Sequence, residues 1–179
     1  MPTPNLYVYQ ETSIDFTPFL TKWIPYSSKF LTAGSTMLNK GRFEIFQVER
    51  DKITKLSSDD CPNPIRCGTF DFSGCNESKI AFGCTDGSLE IRDMRSNRAA
   101  EFSKNVSKSP INCIDAAGDK SSGAGLKEIA TGYKDGSICV WDPRVQDPVI
   151  ELRPETDIGD PLSECWAIAF GNSHSSDGR

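Results

Sequence analysis

At 179 residues the chain has the length of one average domain, and a domain of that size buries roughly two thirds of its unfolded surface. Apolar residues make up 37% and charged residues 25%, with a net charge of −5 and no long run of one sign, which excludes a disordered chain and a basic nucleic-acid-binding face. No window reaches the apolar length of a membrane span, and the N-terminal MPTPNLYVYQETSIDF lacks the basic and then apolar pattern of a signal peptide. The expectation is a cytoplasmic chain whose partners are proteins, with no nucleic acid, no membrane and no small-molecule substrate.

Taken in order, the chain reads as short strands separated by Gly, Pro, Asn, Asp and Ser, with no segment of sustained helical periodicity. Residues 5–10, around LYVYQ, form a first strand that stands apart. FLTKW (19–23), KFLTAG (29–34), KGRFEIFQ (40–47) and KITKL (52–56) follow as four strands within 19–56. A second set occupies 65–102: IRCGTF (65–70), KIAFGC (79–84), DGSLEIRDMR (86–95) and RAAEF (98–102). The third set occupies 111–152: INCIDA (111–116), EIATGY (128–133), DGSICVWDPR (135–144) and PVIEL (148–152). CWAIAFG (165–171) opens a fourth.

These sets superpose. Gly34, Gly83 and Gly132 recur at intervals of 49, while Phe43, Leu89 and Ile138, like Ile45, Ile91 and Val140, recur at 46 and 49. Four strands at this period are the signature of a β-propeller blade, a little longer than the usual ~40–45 residues of the WD type. The fold class expected is therefore all-β: a partial propeller of three four-stranded antiparallel blades plus the first strand of a fourth. Propellers close with about 4–8 blades. Three blades do not close a ring, so the sequence reads as part of a longer propeller, and residues 5–10 as the ring-closing strand of an absent last blade. Without that blade they should lack a native neighbour or pair opportunistically.

Asp86 with Gly87, and Asp135 with Gly136, supply the positive backbone angles of a two-residue hairpin turn. In a typical WD blade a turn Asp, a Ser or Thr on the second strand, a Trp ending the third and a His from the preceding loop are joined by hydrogen bonds. The third blade offers Asp135, Thr131 and Trp141 but no His, because the only one is His174. Asp135 is expected to accept from nearby backbone N–H groups and from the Thr131 hydroxyl. The second blade keeps Asp86 but has Phe82 and Arg92 at the Thr and Trp positions, so packing alone should hold it. The first keeps only its glycine and apolar pattern.

On KWIPYSSKFLTAG, PIRCGTF, TDGSLEIRD, EIATGYKDGSICVWDPR and CWAIAFGN, which spread over residues 19–172, the chain resembles the WD-repeat proteins, and among them the dynein axonemal assembly factors. The resemblance implies a seven-bladed propeller of which this is the N-terminal half. It also implies a cytoplasmic adaptor whose partners are co-chaperone complex subunits (R2TP and prefoldin-like) and dynein chains awaiting assembly.

Asp142 and Arg144, which the blade pattern does not use, are candidate partner-binding residues; Asp93 and Arg95 hold the same places in the second blade. Asp135, Trp141, Asp142 and Arg144 also fit the Asp-x5-Trp-Asp-x-Arg spacing of WD proteins that act as substrate receptors of cullin-type ubiquitin ligases. The plainer reading pairs Asp142 with Arg144. The polar insertion at 120–128 is either a surface loop or a docking tip. No catalytic residue, metal or cofactor is expected: GAGLKE does not follow a strand as a phosphate loop must, and Cys61 and Cys67 have no second pair to complete a metal site. NES (76–78) and NVS (105–107) match glycosylation acceptors, which have no bearing on a cytosolic chain. The seven cysteines, several inside strand-like runs (Cys67, Cys113, Cys139, Cys165), read as reduced structural thiols.

Overall fold

The computed structural model describes residues 8–70, 78–96, 99–117, 128–155 and 163–170. Alternating apolar and β-branched residues build twelve strands: β1 (Thr17–Trp23), β2 (Lys29–Ser35), β3 (Gly41–Val48), β4 (Ile53–Cys61), β5 (Ile65–Thr69), β6 (Lys79–Cys84), β7 (Ser88–Asp93), β8 (Phe102–Asn105), β9 (Ile111–Ala117), β10 (Glu128–Tyr133), β11 (Ile138–Trp141) and β12 (Ile150–Leu152). They form three four-stranded sheets, each running through its strands in chain order with antiparallel pairing throughout. The first strands β1, β5 and β9 touch in succession, so the sheets fan out from a common inner edge as propeller blades do.

The core lies between blades. Leu31, Ala33, Phe43 and Ile45 of the first sheet pack on Ile80 and Phe82 of the second, with the Phe43 and Phe82 rings 5.5 Å apart. Ala81, Leu89 and Ile91 on the other face of the second sheet pack on Ile129, Cys139 and Trp141 of the third, where Phe102 meets Trp141 edge-on at 6.2 Å. The second sheet, packed between the other two, thus buries both faces by alternation, and its second and third strands are almost continuously buried.

Register sharpens the repeat. Ala33, Gly83 and Gly132 lie opposite Phe43, Leu89 and Ile138. Gly34 is therefore displaced by one from its expected place, and Ala33 fills that place. The first hairpin continues past this level through Gly34↔Arg42 and Ser35↔Gly41, two additional pairs that leave the faces unchanged. The inner strand of every blade skips one residue at the same level: Phe19, Arg66 and Asn112 are each left out of the ladder as a β-bulge.

The hairpin turns differ from the two-residue form expected. Cys84 O accepts from Gly87 N at 3.2 Å and Tyr133 O from Gly136 N at 3.1 Å, and the positive φ falls on the glycines (86° and 80°), not on Asp86 or Asp135. This is a three-residue connection, a tight turn followed by a left-handed residue. The first blade closes the same way, with Asn39 at φ 56° in the glycine's role and Thr36 O accepting from Asn39 N at 3.0 Å.

The outer strands also depart from expectation. β4 runs on to Cys61 rather than ending at 56, because a register shift between Ile45 and Phe46 sets Leu56 out of the ladder and resets the alternation. β8 starts at Phe102, so the strand expected over 98–102 is placed later; residues 97–98 lie outside the described residues. At the N-terminus residues 8–10 form no strand, and 5–7 lie outside the described residues. Residues 8–10 nonetheless have a neighbour. Tyr9 Oη donates to Arg50 O at 3.0 Å and Gln10 Nε2 to Glu49 O at 3.1 Å, so they lie against the β3–β4 turn. Five residues on, Asp15 pairs with Arg42 at the opposite end of β3.

Residues 163–170 are not a strand either, and residue 171 lies outside the described residues. Their placement still follows the repeat. Cys67 Sγ donates to Ile111 O, at the start of the next blade, at 3.8 Å, and Cys113 Sγ donates to Cys165 O at 3.6 Å. A Cβ added to Gly83 would meet Cys67 and Ile111; one on Gly132 would meet Cys113 and Cys165. Cys165 therefore stands to the third sheet as Ile111 stands to the second, without a second strand among the described residues to pair with.

Candidate interaction surface

The four residues singled out for partner contact stand where the third strands end and in the turns that follow them. Arg144 is wrapped onto Asp142: Nε lies 2.9 and 3.0 Å from the two carboxylate oxygens, Nη2 lies 2.6 Å from Oδ2, and the Arg144 backbone N–H donates to Oδ1 at 2.9 Å. These contacts hold the Asp142 carboxyl down at about 2, the guanidinium bonds contributing most, and they raise Arg144 in turn. The Arg144 side chain remains 64% exposed. One blade earlier the Arg95 backbone N–H donates to Asp93 Oδ1 at 2.9 Å and Arg95 Nη2 reaches Ser78 Oγ at 2.6 Å. The Arg95 backbone bond leads the causes that lower the Asp93 carboxyl. Both pairs present an oriented guanidinium edge on one rim, a geometry that a lysine would not reproduce.

Behind them the blade residues are joined differently from the expected set. Trp141 Nε1 donates to Thr131 Oγ1 at 2.8 Å, both side chains buried, and the Thr131 hydroxyl donates to Cys139 O at 3.4 Å. Asp135 does not take the Thr131 hydroxyl. Its Oδ1 accepts from the Ser137 N–H at 3.0 Å and Ser137 Oγ at 2.5 Å, and its Oδ2 accepts from Ser107 Oγ at 2.9 Å. Burial raises the Asp135 carboxyl, but the Ser137 and Ser107 bonds outweigh it and the net displacement is downward. Ser107 comes from the loop before the third blade and so stands where a typical blade has His.

Asn63 does the same for the second blade, donating through Nδ2 to Asp86 Oδ2 at 2.7 Å, while Ser88 donates to Asp86 Oδ1. These loop residues work twice. The carbonyls of Asn63, Ser107 and Ser163 lie 2.2, 1.9 and 2.3 Å from where Cβ atoms would stand on Gly41, Gly87 and Gly136. Each inter-blade loop is thus clamped by the turn it leaves, and Asn63 and Ser107 bond the turn Asp of the blade they enter. The sequence carried a signal for this, the Asp-Gly-Ser shared by both turns, but the side chain that completes it changes from Asn to Ser.

The second blade is not held by packing alone. At the Trp141 level it has Arg92, which pairs with buried Glu90 at 2.9 Å. The first blade has Phe46 there, stacked on Phe30 at 5.1 Å, beside Glu44. Glu44 is 1% exposed and receives Lys55 Nζ at 2.7 Å and Ser58 Oγ at 3.1 Å. The tip of the insertion, 118–127, lies outside the described residues. Among the described residues no group of three His, Cys, Asp or Glu is placed to hold a metal ion, and no helix is long and apolar enough to cross a membrane.

No protein-family model matches the chain. Dynein axonemal assembly factor 10 of Xenopus laevis is 33% identical over 177 residues, which is 98% of this chain and 49% of the relative. The proteins of that name from Homo sapiens and Chlamydomonas reinhardtii are each 32% identical with the same coverage. The chain spans about half the length of these relatives. Among solved structures, Sqt1 of Chaetomium thermophilum bound to the N-terminus of ribosomal protein L10 superposes with a TM-score of 0.59 at 21% identity, over 76% of this chain and 34% of that one. The WD40 β-propeller domain of Doa1 superposes with a TM-score of 0.59 at 15% identity, over 77% and 41%. By fold the chain is a stretch of WD40 β-propeller, and by sequence it is similar along almost its whole length to dynein axonemal assembly factor 10.

Proposed function

We propose that the chain is part of a non-catalytic interaction scaffold acting in the cytoplasm in the assembly of axonemal dynein, as an adaptor between dynein chains and co-chaperones of the R2TP and prefoldin-like kind. The observation that carries this reading is the 33% identity to a dynein axonemal assembly factor sustained over 98% of the chain. The architecture supports it: blades whose facing sides are spent on each other leave turns and rims for contact. In this reading residues 5–10 close the ring with a last blade, residues 165–171 begin a fourth, and Asp93, Arg95, Asp142 and Arg144 are partner contacts. Affinity purification of the full-length protein from ciliated cells tests it. Dynein heavy chains and the co-chaperone subunits should be recovered together; their absence overturns the proposal.

A second reading is substrate reception for a cullin-type ubiquitin ligase. It is favoured by the exposed, carboxylate-oriented Arg144 beyond the buried Trp141. It expects recovery of the ligase adaptor in place of dynein chains, and loss of that adaptor on Arg144→Ala.

A further inference from the structure

The inter-blade contact at Gly132 holds two sulfurs where the equivalent contact at Gly83 holds one. Cys113 Sγ and Cys165 Sγ are 3.7 Å apart, and both lie over the bare face of Gly132, where a Cβ would stand 2.6 and 2.4 Å from them. At Gly83 the corresponding positions are Cys67 and Ile111, so a single sulfur lies over that glycine. Cys61, Cys84 and Cys139 are buried, and burial is the leading cause that raises each of their thiols. Cys67, Cys113 and Cys165 are partly exposed, and Cys113 and Cys165 are the two whose sulfurs lie within 3.7 Å of each other.

The segment that carries Cys165 lies against the third sheet. It forms no strand, and its bonds to the third sheet include Cys165 N–H to Tyr133 O at 3.1 Å, Asn112 Nδ2 to Glu164 Oε2 at 3.1 Å and Phe170 N–H to Asp115 Oδ2 at 2.7 Å. Neighbouring Trp166 is 67% exposed. The sulfurs have to close from 3.7 Å to the bonding distance of about 2.05 Å, with no side chain on Gly132 in the way.

We propose that Cys113 and Cys165 form a redox-responsive pair that closes to a disulfide and staples residues 163–170 to the third blade. With a peroxide as oxidant, Cys165 loses its proton to solvent and its thiolate attacks the peroxide O–O bond, giving a sulfenic acid and hydroxide, which becomes water. The Cys113 sulfur then attacks the sulfenic sulfur, the S–S bond forms, and the S–O bond breaks to release a second water. Two thiols are oxidised by two electrons and one peroxide is reduced. Burial raises the Cys113 thiol, so it rests protonated and its proton leaves with the departing hydroxyl as water.

The test is titration of the chain with hydrogen peroxide, blocking of free thiols, and mass spectrometry of non-reduced peptides. A Cys113–Cys165 linked peptide should appear at lower peroxide than any other cysteine product and vanish with dithiothreitol, and amide exchange across 163–170 should slow on oxidation. Cys165→Ser should leave Cys113 reduced. Ile111→Cys should recreate the geometry one blade earlier and yield a second link, to Cys67. A sulfinic Cys165 without a link, a different dominant pair, or unchanged exchange at 163–170 would overturn the proposal.

Discussion

The Trp141 indole shows most directly what a single side chain contributes. Its N–H is the donor to Thr131, and its ring fills the space against Phe102. Trp141→Phe should cost about 1 kcal/mol for the hydrogen bond plus part of the lost contact, and Trp141→Ala about 3–5 kcal/mol, both read by urea denaturation. The pH dependence follows from the turn carboxylate. Asp135 is lower in the folded chain than unfolded, so the stability it adds is complete above the unfolded carboxyl value near 4 and is lost as pH falls through the folded one. Asp135→Asn should therefore be less stable than the parent at neutral pH, with the difference shrinking as pH drops below about 4. A difference that grows on acidification would contradict the assigned bonds. On the rim, Arg144→Ala should return the Asp142 carboxyl from about 2 towards its ordinary value in an NMR titration, because the guanidinium is the largest cause of its depression.

At the scale of the element, the turns and the buried ion pairs decide how well each blade is made. Gly136→Ala forces a left-handed alanine, worth about 1–2 kcal/mol, and sets its Cβ against the Ser163 carbonyl; Asn39→Gly should be near neutral. Lys55→Met should cost more than the ~0–1 kcal/mol of a surface pair and less than the ~3–5 kcal/mol of a fully buried one, since Glu44 is buried but Lys55 is half exposed. The strands themselves were legible because alternation and the Asp-Gly-Ser turns recur at nearly constant spacing. The displaced glycine of the first blade was not, because two extra hairpin pairs preserve the apolar pattern while moving Gly34. The bonding of Asp135 was hidden for another reason: the donor that replaces His is Ser107, and a serine before a strand is too common to announce a role. Arg92 at the Trp position gave no sign of its role in the sequence, because its partner is Glu90, two residues back on the same face.

Over the whole molecule, the same inter-blade relation is repeated from the first sheet to the second, from the second to the third, and from the third to residues 163–170. That continuity, together with 33% identity over 98% of the chain, is what supports the proposal that this stretch is part of an assembly scaffold. The fold could be read from the repeat alone, whereas the partner could not, because no rim residue among those described carries chemistry specific to dynein or to a co-chaperone. The most direct measurement is quantitative affinity purification of the tagged full-length protein from ciliated cells, beside the Arg144→Ala variant. Joint enrichment of axonemal dynein heavy chains and co-chaperone subunits is predicted. Enrichment of a cullin adaptor without dynein, or of no protein above background, would contradict it.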